Sequence, residues 1–283
     1  MSKLTEIVRK ILKNNFDLEA DAKILVLGDT SKSELARDFY QALLDLDKKA
    51  FYTEMPDRER SGEEPPPEIV ELWMQHLIIF CITKHSLTHT NARKAANKAG
   101  IQVITMPGIT EDMFLNGAMN ADYRRVEVET LEMTDKLTKA TSVTILTGDG
   151  NYRLDVPLQE RMGISSTGIF KSKSSSGNLP SGEAYIAPVE YQASGKILIN
   201  GSIAGIGLLR EPVLLTIVDG RLVEASGEQG ATLLSILGDD DGRILCELGI
   251  GTNHAARITG LILEDEKAYD TIHVAFGSNH TFG

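Results

Sequence analysis

The sequence predicts an α/β fold in two parts: an N-terminal flavodoxin-like domain with a parallel sheet, and a mainly antiparallel β (α+β) C-terminal domain. Three observations predict it. The 283 residues suit two domains, at roughly 100–200 residues each. Residues 1–120 alternate apolar, strand-like runs with helix-spaced segments, which is typical of βαβ units. After Thr141, strand-like runs are separated by turn residues. We therefore predict domains at 1–140 and 141–283.

The N-terminal elements follow from hydrophobic spacing. Leu4, Ile7, Val8, Ile11 and Leu12 have helical periodicity, so an amphipathic helix is expected over 4–16. The remaining N-terminal segments are predicted in order as a strand at 23–28, a helix at 31–46, a strand at 50–54, a helix at 68–75, a strand at 77–82, a helix at 90–99, a strand at 103–106 and a long polar helix at 121–139.

The C-terminal half is divided by turn sequences rich in Gly, Asn, Asp and Ser. These turns lie at 148–151, 174–178, 219–220 and 239–242. One helix is expected at 229–237, and the rest is predicted as antiparallel strands. The three carboxylates Asp239, Asp240 and Asp241 lack the spacing of a calcium loop, so we interpret them as a solvated hairpin turn.

Composition excludes several classes of partner. The chain carries 40 acidic and 29 basic residues and a net charge of −11, whereas nucleic-acid-binding proteins have a basic surface. We therefore expect no nucleic-acid and no membrane partner. The longest apolar run, Leu77 to Ile82, is too short to span a bilayer, and no signal-peptide pattern begins the chain. Cys81 and Cys246 lie in apolar runs, as reduced core thiols do, so a cytoplasmic location is expected.

Two other motifs give weaker indications. The turn at 28–31 lacks both the dinucleotide glycine pattern and a P-loop lysine, which argues against nucleotide binding. His85 and His89 are four residues apart, but the glutamate of the zincin pattern is absent. We favour a polar loop after a parallel strand, which is where open α/β sheets place ligands.

Three polar side chains stand out in the C-terminal half because they lie in strand-like runs among small residues. His273 alternates with Ile272, Val274 and Phe276, so its imidazole points away from the side that those residues bury. Glu247 shares its strand face with a glycine, and Glu183 shares its face with an alanine. From the residues alone this face is either a solvent face or a site. Carboxylates and imidazole together suit Zn²⁺, Mn²⁺, Co²⁺ or Fe²⁺.

At these residues the chain resembles the aminopeptidase T family of metallopeptidases. Residues 178–188 read Asn-Leu-Pro-Ser-Gly-Glu-Ala-Tyr-Ile-Ala-Pro, similar to that family's Asn-x-Pro-x-Gly-Glu-Val-Phe-x-Ala-Pro signature. Residues 147–154 resemble the strand that leads into it. Residues 273–277, His-Val-Ala-Phe-Gly, look like the family's His-Ile-Ala-Leu-Gly motif. The likeness covers 141–283.

The resemblance implies a set of roles. It implies Glu183 and Glu247 as catalytic metal ligands and His273 as a histidine ligand. His280 stands where the peptidases have a tyrosine, and we include it among the candidate ligands. The family's downstream His-x-Asp pair does not follow within the 283 residues; either it lies beyond residue 283 or the site lacks part of its ligands, so these residues do not predict a complete two-metal centre. The implied cofactor is a divalent ion (Zn, Co or Mn), and the implied assembly is a homodimer.

Three functions follow from this resemblance. The first is a metal-dependent aminopeptidase that hydrolyses small peptides with a metal-activated water. The second is a mononuclear iron dioxygenase of the dihydroxypyridine type, which shares this fold and opens the ring of a small-molecule substrate at a two-histidine, one-carboxylate site; His273 would be one ligand, and a His-x-Asp beyond residue 283 would supply the others. The third is a non-catalytic protein that keeps the scaffold.

Overall fold

The computed structural model describes residues 2–172 and 175–279, and it has the predicted fold class: a parallel α/β sheet together with antiparallel sheets. By contacts the chain forms two compact units. The first unit comprises residues 1–127, 167–181 and 254–256, and the second comprises 128–166, 182–253 and 257–283. The domain boundary at residue 140 stays a prediction.

Eight helices and sixteen strands are found in the described residues. The helices are α1 (Lys3–Asn15), α2 (Ser33–Asp45), α3 (Pro67–Trp73), α4 (Asn91–Lys98), α5 (Glu111–Leu115), α6 (Tyr123–Lys139), α7 (Gly227–Leu237) and α8 (Ile262–Asp265). The strands are β1 (Ile24–Asp29), β2 (Ala50–Met55), β3 (Ile78–Ile82), β4 (Gln102–Thr105), β5 (Ser142–Thr147), β6 (Tyr152–Pro157), β7 (Ile164–Ser166), β8 (Gly177–Asn178), β9 (Glu183–Ile186), β10 (Ser194–Ile199), β11 (Ser202–Ile203), β12 (Gly207–Leu208), β13 (Val213–Val218), β14 (Arg221–Ala225), β15 (Leu245–Gly251) and β16 (Ile272–Phe276).

The first unit is built on one parallel sheet with the strand order β2-β1-β3-β4-β8. Every residue of β1, β3 and β4 is buried, as expected for central strands covered on both faces. Trp73, Leu25, Ile79 and Val103 belong to a core cluster beside this sheet. Helices α1 to α4 end within two residues of the predicted positions, and α5 was not predicted. Gly100 follows α4 with a φ of +82°, a conformation that favours glycine.

The second unit contains two larger antiparallel sheets. One has the order β14-β13-β10-β6-β5, and the other has the order β16-β15-β9-β7. Alternate residues of both sheets enter one hydrophobic cluster, including Leu154, Ile197, Leu215, Ile186 and Leu248. The opposite face of the β16-β15-β9-β7 sheet is therefore left to other residues, and the candidate ligands lie there.

The expected hairpin turn at 239–242 is wrong in detail. Asp241–Arg243 form one turn of 3₁₀ helix that connects α7 to β15, and Arg243 pairs with Asp239 at 2.7 Å. The segment does not join two neighbouring strands, because a helix precedes it.

Both cysteines are buried and unpaired with each other. In the part of the chain that the structure describes, no helix is both long enough and apolar enough to cross a bilayer.

Candidate functional site

The site lies on one face of the β16-β15-β9-β7 sheet in the second unit. In the antiparallel register, Gly249 of β15 is opposite both Tyr185 of β9 and His273 of β16, and Gly251 is opposite Glu183. Residues two apart on a strand share a face. Glu247, Gly249 and Gly251 therefore line up on the same face as Glu183 and His273.

Two glycines of β15 leave space that neighbouring groups occupy. A Cβ atom added to Gly249 would clash with the imidazole ring of His273. A Cβ atom added to Gly251 would clash with the backbone carbonyl of Ala268. The pattern Glu-x-Gly-x-Gly along β15 thus provides one carboxylate and two places of close approach.

The three predicted ligands are close together. Nε2 of His273 lies 3.3 Å from Oε2 of Glu183 and 3.4 Å from Oε1 of Glu247. Glu183 is 6% exposed. Its Oε2 atom and both ring nitrogens of His273 are buried and have no hydrogen-bond partner in the described structure. The two carboxylates and the imidazole are therefore close together, but no well-aligned hydrogen bond joins them.

A buried lysine completes the cluster, and the sequence analysis missed it. Nζ of Lys267 donates hydrogen bonds to Oε1 of Glu183 at 2.5 Å and to Oε2 of Glu266 at 2.9 Å. Lys267 ends the run Glu264-Asp265-Glu266-Lys267, which reads as a solvated surface segment. Yet Glu264, Asp265 and Lys267 are all buried.

Partners inside the unit explain why this charged run is buried. The carboxylate of Glu264 accepts two hydrogen bonds from the guanidinium of Arg257, both at 3.1 Å. The carboxylate of Asp265 accepts from the backbone N–H groups of Thr259 and Gly260 and from the hydroxyl of Ser202. Such partners offset the cost of burying charge. The only local sign in the sequence is the apolar run just before it, at 261–263.

The environment shifts the pKa values of these groups. Burial raises the pKa of Glu183, although the Lys267 ammonium opposes that shift. Burial also works to lower the pKa of Lys267, but Glu183 and Glu266 outweigh it and raise that pKa above its ordinary range. For His273, burial is outweighed by the nearby carboxylates of Glu247 and Glu183, and its pKa is raised. Lys267 is therefore a permanent positive charge at neutral pH.

The distances between these donor atoms can be compared with the distances between donors that bind one divalent ion. Two donors bound to one cation at about 2.1 Å are separated from each other by about 3.0–3.4 Å, and the two measured separations from His273 agree with this range. The unpaired buried atoms also suit a cation. Within residues 2–172 and 175–279, however, no group of three or more His, Cys, Asp or Glu side chains is arranged so that it could hold a metal ion by itself. The residues present fit part of a coordination sphere.

The other candidate histidines contribute nothing to this cluster. His280 lies outside the described residues. His85 and His89 lie in the first unit, in the turn segment between β3 and α4, as expected for a loop. His273 is the only histidine in the described part of the second unit.

A cavity of about 550 Å³ also lies in the second unit, along the edge strand β16. Its walls are mostly aliphatic and include Ile199, Leu215, Leu233 and Ile262. Every residue of β16 lines it, His273 included, and so do Asp265 and Glu266. The mainly aliphatic cavity therefore extends to the candidate ligand His273.

With the geometry known, comparison with other proteins decides the family. The sequence profile described as NicX, 2,5-dihydroxypyridine 5,6-dioxygenase, matches residues 3–282. The chain belongs to this NicX family. No curated protein matches the chain.

Two solved structures agree with this assignment at the level of fold. The 2,5-dihydroxypyridine dioxygenase from Pseudomonas putida KT2440 is similar with a TM-score of 0.81 and 17% identity, over 100% of this chain and 89% of that chain. AmpT from Thermus thermophilus is similar with a TM-score of 0.67 and 15% identity, over 99% of this chain and 86% of that chain.

The predicted aminopeptidase function is wrong, and with it the description of the chain as a hydrolase or protease. The NicX match over residues 3–282 and the likeness to the Pseudomonas dioxygenase support the dioxygenase alternative instead. The likeness of this chain to AmpT at the level of fold is consistent with the resemblance from which the peptidase prediction was made. Enzyme status and a divalent metal cofactor agree with NicX membership.

Proposed function

We propose that this protein is a metal-dependent, ring-opening dioxygenase that acts on 2,5-dihydroxypyridine or a closely related dihydroxylated ring. The observation that carries the proposal is the NicX match over residues 3–282. The cluster of Glu183, Glu247 and His273 supports it in part, because one imidazole and one carboxylate are two of the three donors of a two-histidine, one-carboxylate non-haem iron site. The reaction breaks the bond between ring carbons 5 and 6 and adds both atoms of one O₂ molecule to the product.

Oε2 of Glu183, a carboxylate oxygen of Glu247 and Nε2 of His273 would contribute part of the ion's coordination sphere. When bound, a ferrous ion supplies open positions at which a diol and dioxygen meet. Glu183 and His273 are buried or nearly so, which keeps bulk water from their donor atoms. Gly249 leaves the space in which the imidazole of His273 lies. Lys267 fixes the orientation of the Glu183 carboxylate.

Oxygen uptake tests the proposal. The full-length protein is loaded anaerobically with Fe²⁺, mixed with 2,5-dihydroxypyridine, and followed with an oxygen electrode and by ring absorbance. We expect one O₂ consumed for each ring lost. Protein that holds iron yet consumes no oxygen with this ring, or with its dihydroxylated analogues, contradicts the proposal.

Matched variants assign the reaction to the cluster. Glu247→Gln removes a proposed ligand charge, whereas Glu224→Gln makes the same change at an exposed position of β14 in the same unit. We expect Glu247→Gln to lose more than the ~10–100-fold typical of residues that only orient a ligand. We expect Glu224→Gln to retain the parent rate. Equal rates in the two variants would remove Glu247 from the site.

A further inference from the structure

The cavity along β16, which we call the β16 cavity, is large for the ring of the proposed substrate. Its volume is about 550 Å³, which is within the ~300–1,000 Å³ range of pockets that take drug-sized ligands. A single aromatic ring with two hydroxyl groups would leave most of this volume empty. Because proteins pack closely around what they bind, the volume indicates a ligand with more bulk than that ring.

Hydrocarbon side chains form most of the wall of the β16 cavity. Leu233 and Ile236 of α7, Ile197 of β10 and Ile258 belong to this apolar part. Ile236 is 55% exposed and Ile258 is 40% exposed, so both keep apolar surface in contact with water. A ligand that covers them removes this surface from water, which favours binding. The apolar part of the wall therefore fits a hydrocarbon group.

Small residues keep the apolar part open. Residues 200–202, Asn-Gly-Ser, line the cavity. A Cβ atom added to Gly201 would lie 3.5 Å from Cγ2 of Ile258. A longer side chain at this position would therefore contact Ile258 and take up part of the space that a ligand could fill.

The polar part of the wall lies between α8 and β16, where Glu266, Asp270 and Thr271 line the cavity. Oε2 of Glu266 accepts a hydrogen bond from Nζ of Lys267 at 2.9 Å. No residue in the described part of the chain donates a hydrogen bond to its Oε1, and the side chain is 29% exposed. Oε1 is therefore an available acceptor, and ring hydroxyl groups are donors that a carboxylate accepts.

Glu266 also connects the cavity to the candidate ligands. The ammonium group of Lys267 contacts both Glu266 and Glu183, and His273 itself lines the cavity. A ring bound at Glu266 would be separated from Glu183 by this one ammonium group. A substituent on that ring could extend along the apolar part of the wall.

We infer that the substrate is an amphipathic dihydroxylated ring: a ring hydroxyl group donates to Glu266, and an uncharged alkyl substituent occupies the apolar part of the β16 cavity. The inference rests on the proposed function in taking a dihydroxylated ring as the polar group. Asp265, Glu266 and Asp270 all line the cavity, and carboxylates repel one another. A substituent that ends in a carboxylate should therefore bind poorly.

Calorimetric titration of the full-length protein under nitrogen and without added metal tests the inference in the absence of turnover. Three ligands are compared: 2,5-dihydroxypyridine, a derivative with a butyl chain on ring carbon 3, and a derivative whose chain of the same length ends in a carboxylate. Each methylene group that leaves water favours binding about fourfold. We expect the butyl derivative to bind at least ~20-fold more tightly than the unsubstituted ring, and the carboxylate derivative to show no such gain.

Two variants fill the cavity from its exposed rim. Ile258→Trp and Ile236→Trp each add bulk to the apolar part of the wall, and we expect both to lose the gain from the butyl chain. Val223→Trp is the control, because Val223 is 42% exposed on β14 and does not line the cavity. It should keep the gain. The second filling variant maintains the test if the first does not fold.

The outcomes separate the inference from the proposed function. Equal affinity of the parent protein for the butyl derivative and the unsubstituted ring, or no binding of the butyl derivative, overturns the inference. An undiminished gain in a folded Ile258→Trp or Ile236→Trp variant also overturns it. If the iron-loaded protein consumes oxygen with equal kcat/KM for both rings, the reaction stands and the inference fails. If the butyl chain binds in the cavity but no oxygen is consumed, the reaction fails and the inference stands.

Discussion

At the scale of single residues, the candidate ligands could be predicted and the lysine could not. Glu183, Glu247 and His273 are polar residues in apolar, alternating runs, so their direction followed from strand periodicity. Lys267 lies in a charged run whose burial depends on the guanidinium of Arg257, the backbone N–H of Thr259 and the hydroxyl of Ser202, and these contacts cannot be seen in the sequence. Composition alone makes such a run look solvent-exposed.

Gly249 gives a prediction at this scale. In Gly249→Ala the new methyl group overlaps the imidazole of His273, so the ring must move. We expect Mn²⁺ binding in calorimetry to weaken at least ~10-fold, with a loss of stability of ~1–3 kcal/mol from overpacking. Gly201→Ala is the control, because its added Cβ meets only Ile258, at 3.5 Å. Unchanged Mn²⁺ affinity in Gly249→Ala would mean that the imidazole is not a ligand.

The thiols give a second prediction. Burial raises the pKa of Cys246 to about 12 and raises the pKa of Cys81 as well. Because the thiolate is the reactive form, neither cysteine should react with Ellman's reagent at pH 8 in the native protein. Both should react after unfolding in guanidinium. Rapid release of one equivalent of thionitrobenzoate from native protein would show that a thiol is accessible.

At the scale of elements, the long apolar strands and the capped helices were predictable because their signals are local. β1, β3 and β4 coincide with apolar runs. Strands of two or three residues, such as β7, β8, β11 and β12, were not predicted. They are defined by the partner they pair with, as when Gly177 and Asn178 add to the edge of β4. Nothing in such a short segment indicates that pairing.

The start of α4 provides a test of local structure. Thr90 is buried, its hydroxyl accepts from the N–H of Arg93 at 3.2 Å, and it donates to the carbonyl of Leu87 at 2.7 Å. Thr90→Ala removes both bonds, and loss of an N-cap costs ~1 kcal/mol. We expect a Tm lower by at least ~2 °C in calorimetry. Thr90→Ser keeps the hydroxyl and should recover most of the loss; equal Tm values for Ala and Ser would show that the cap contributes little.

At the scale of the whole molecule, the fold class could be predicted, because alternating strands and helices give way to strands separated by turns after residue 141. Which segments of the chain make up each unit could not be predicted. Residues 167–181 and 254–256 belong to the first unit although they lie far along the chain. Long-range contacts place residues 167–181 in the first unit, and one of them is the hydrogen bond that the side chain of Gln102 donates to the carbonyl of Phe170 at 2.8 Å. The choice between peptidase and dioxygenase also lay beyond local motifs, because the segment around Glu183 resembles the peptidases, whereas the NicX match extends over residues 3–282.

Metal binding should appear in the stability of the protein. A ligand that binds only the folded state at 100 times its Kd adds about 2.7 kcal/mol. We therefore expect saturating Mn²⁺ to raise the Tm of the parent protein, and EDTA to reverse the shift. Glu183→Gln should show little or no shift, and Glu224→Gln should behave as the parent. An equal Mn²⁺ shift in Glu183→Gln and the parent would locate the ion elsewhere.

The central claim is that one divalent ion is shared by His273, Glu183 and Glu247, and diffraction at the iron absorption edge tests it most directly. Crystals of the full-length protein would be grown anaerobically with Fe²⁺, and an anomalous difference map calculated from data on both sides of the edge. We predict one strong peak within ~2.0–2.3 Å of Nε2 of His273 and of a carboxylate oxygen of each glutamate. A peak at another place in the molecule, or a site without iron in protein that consumes oxygen, would contradict the claim.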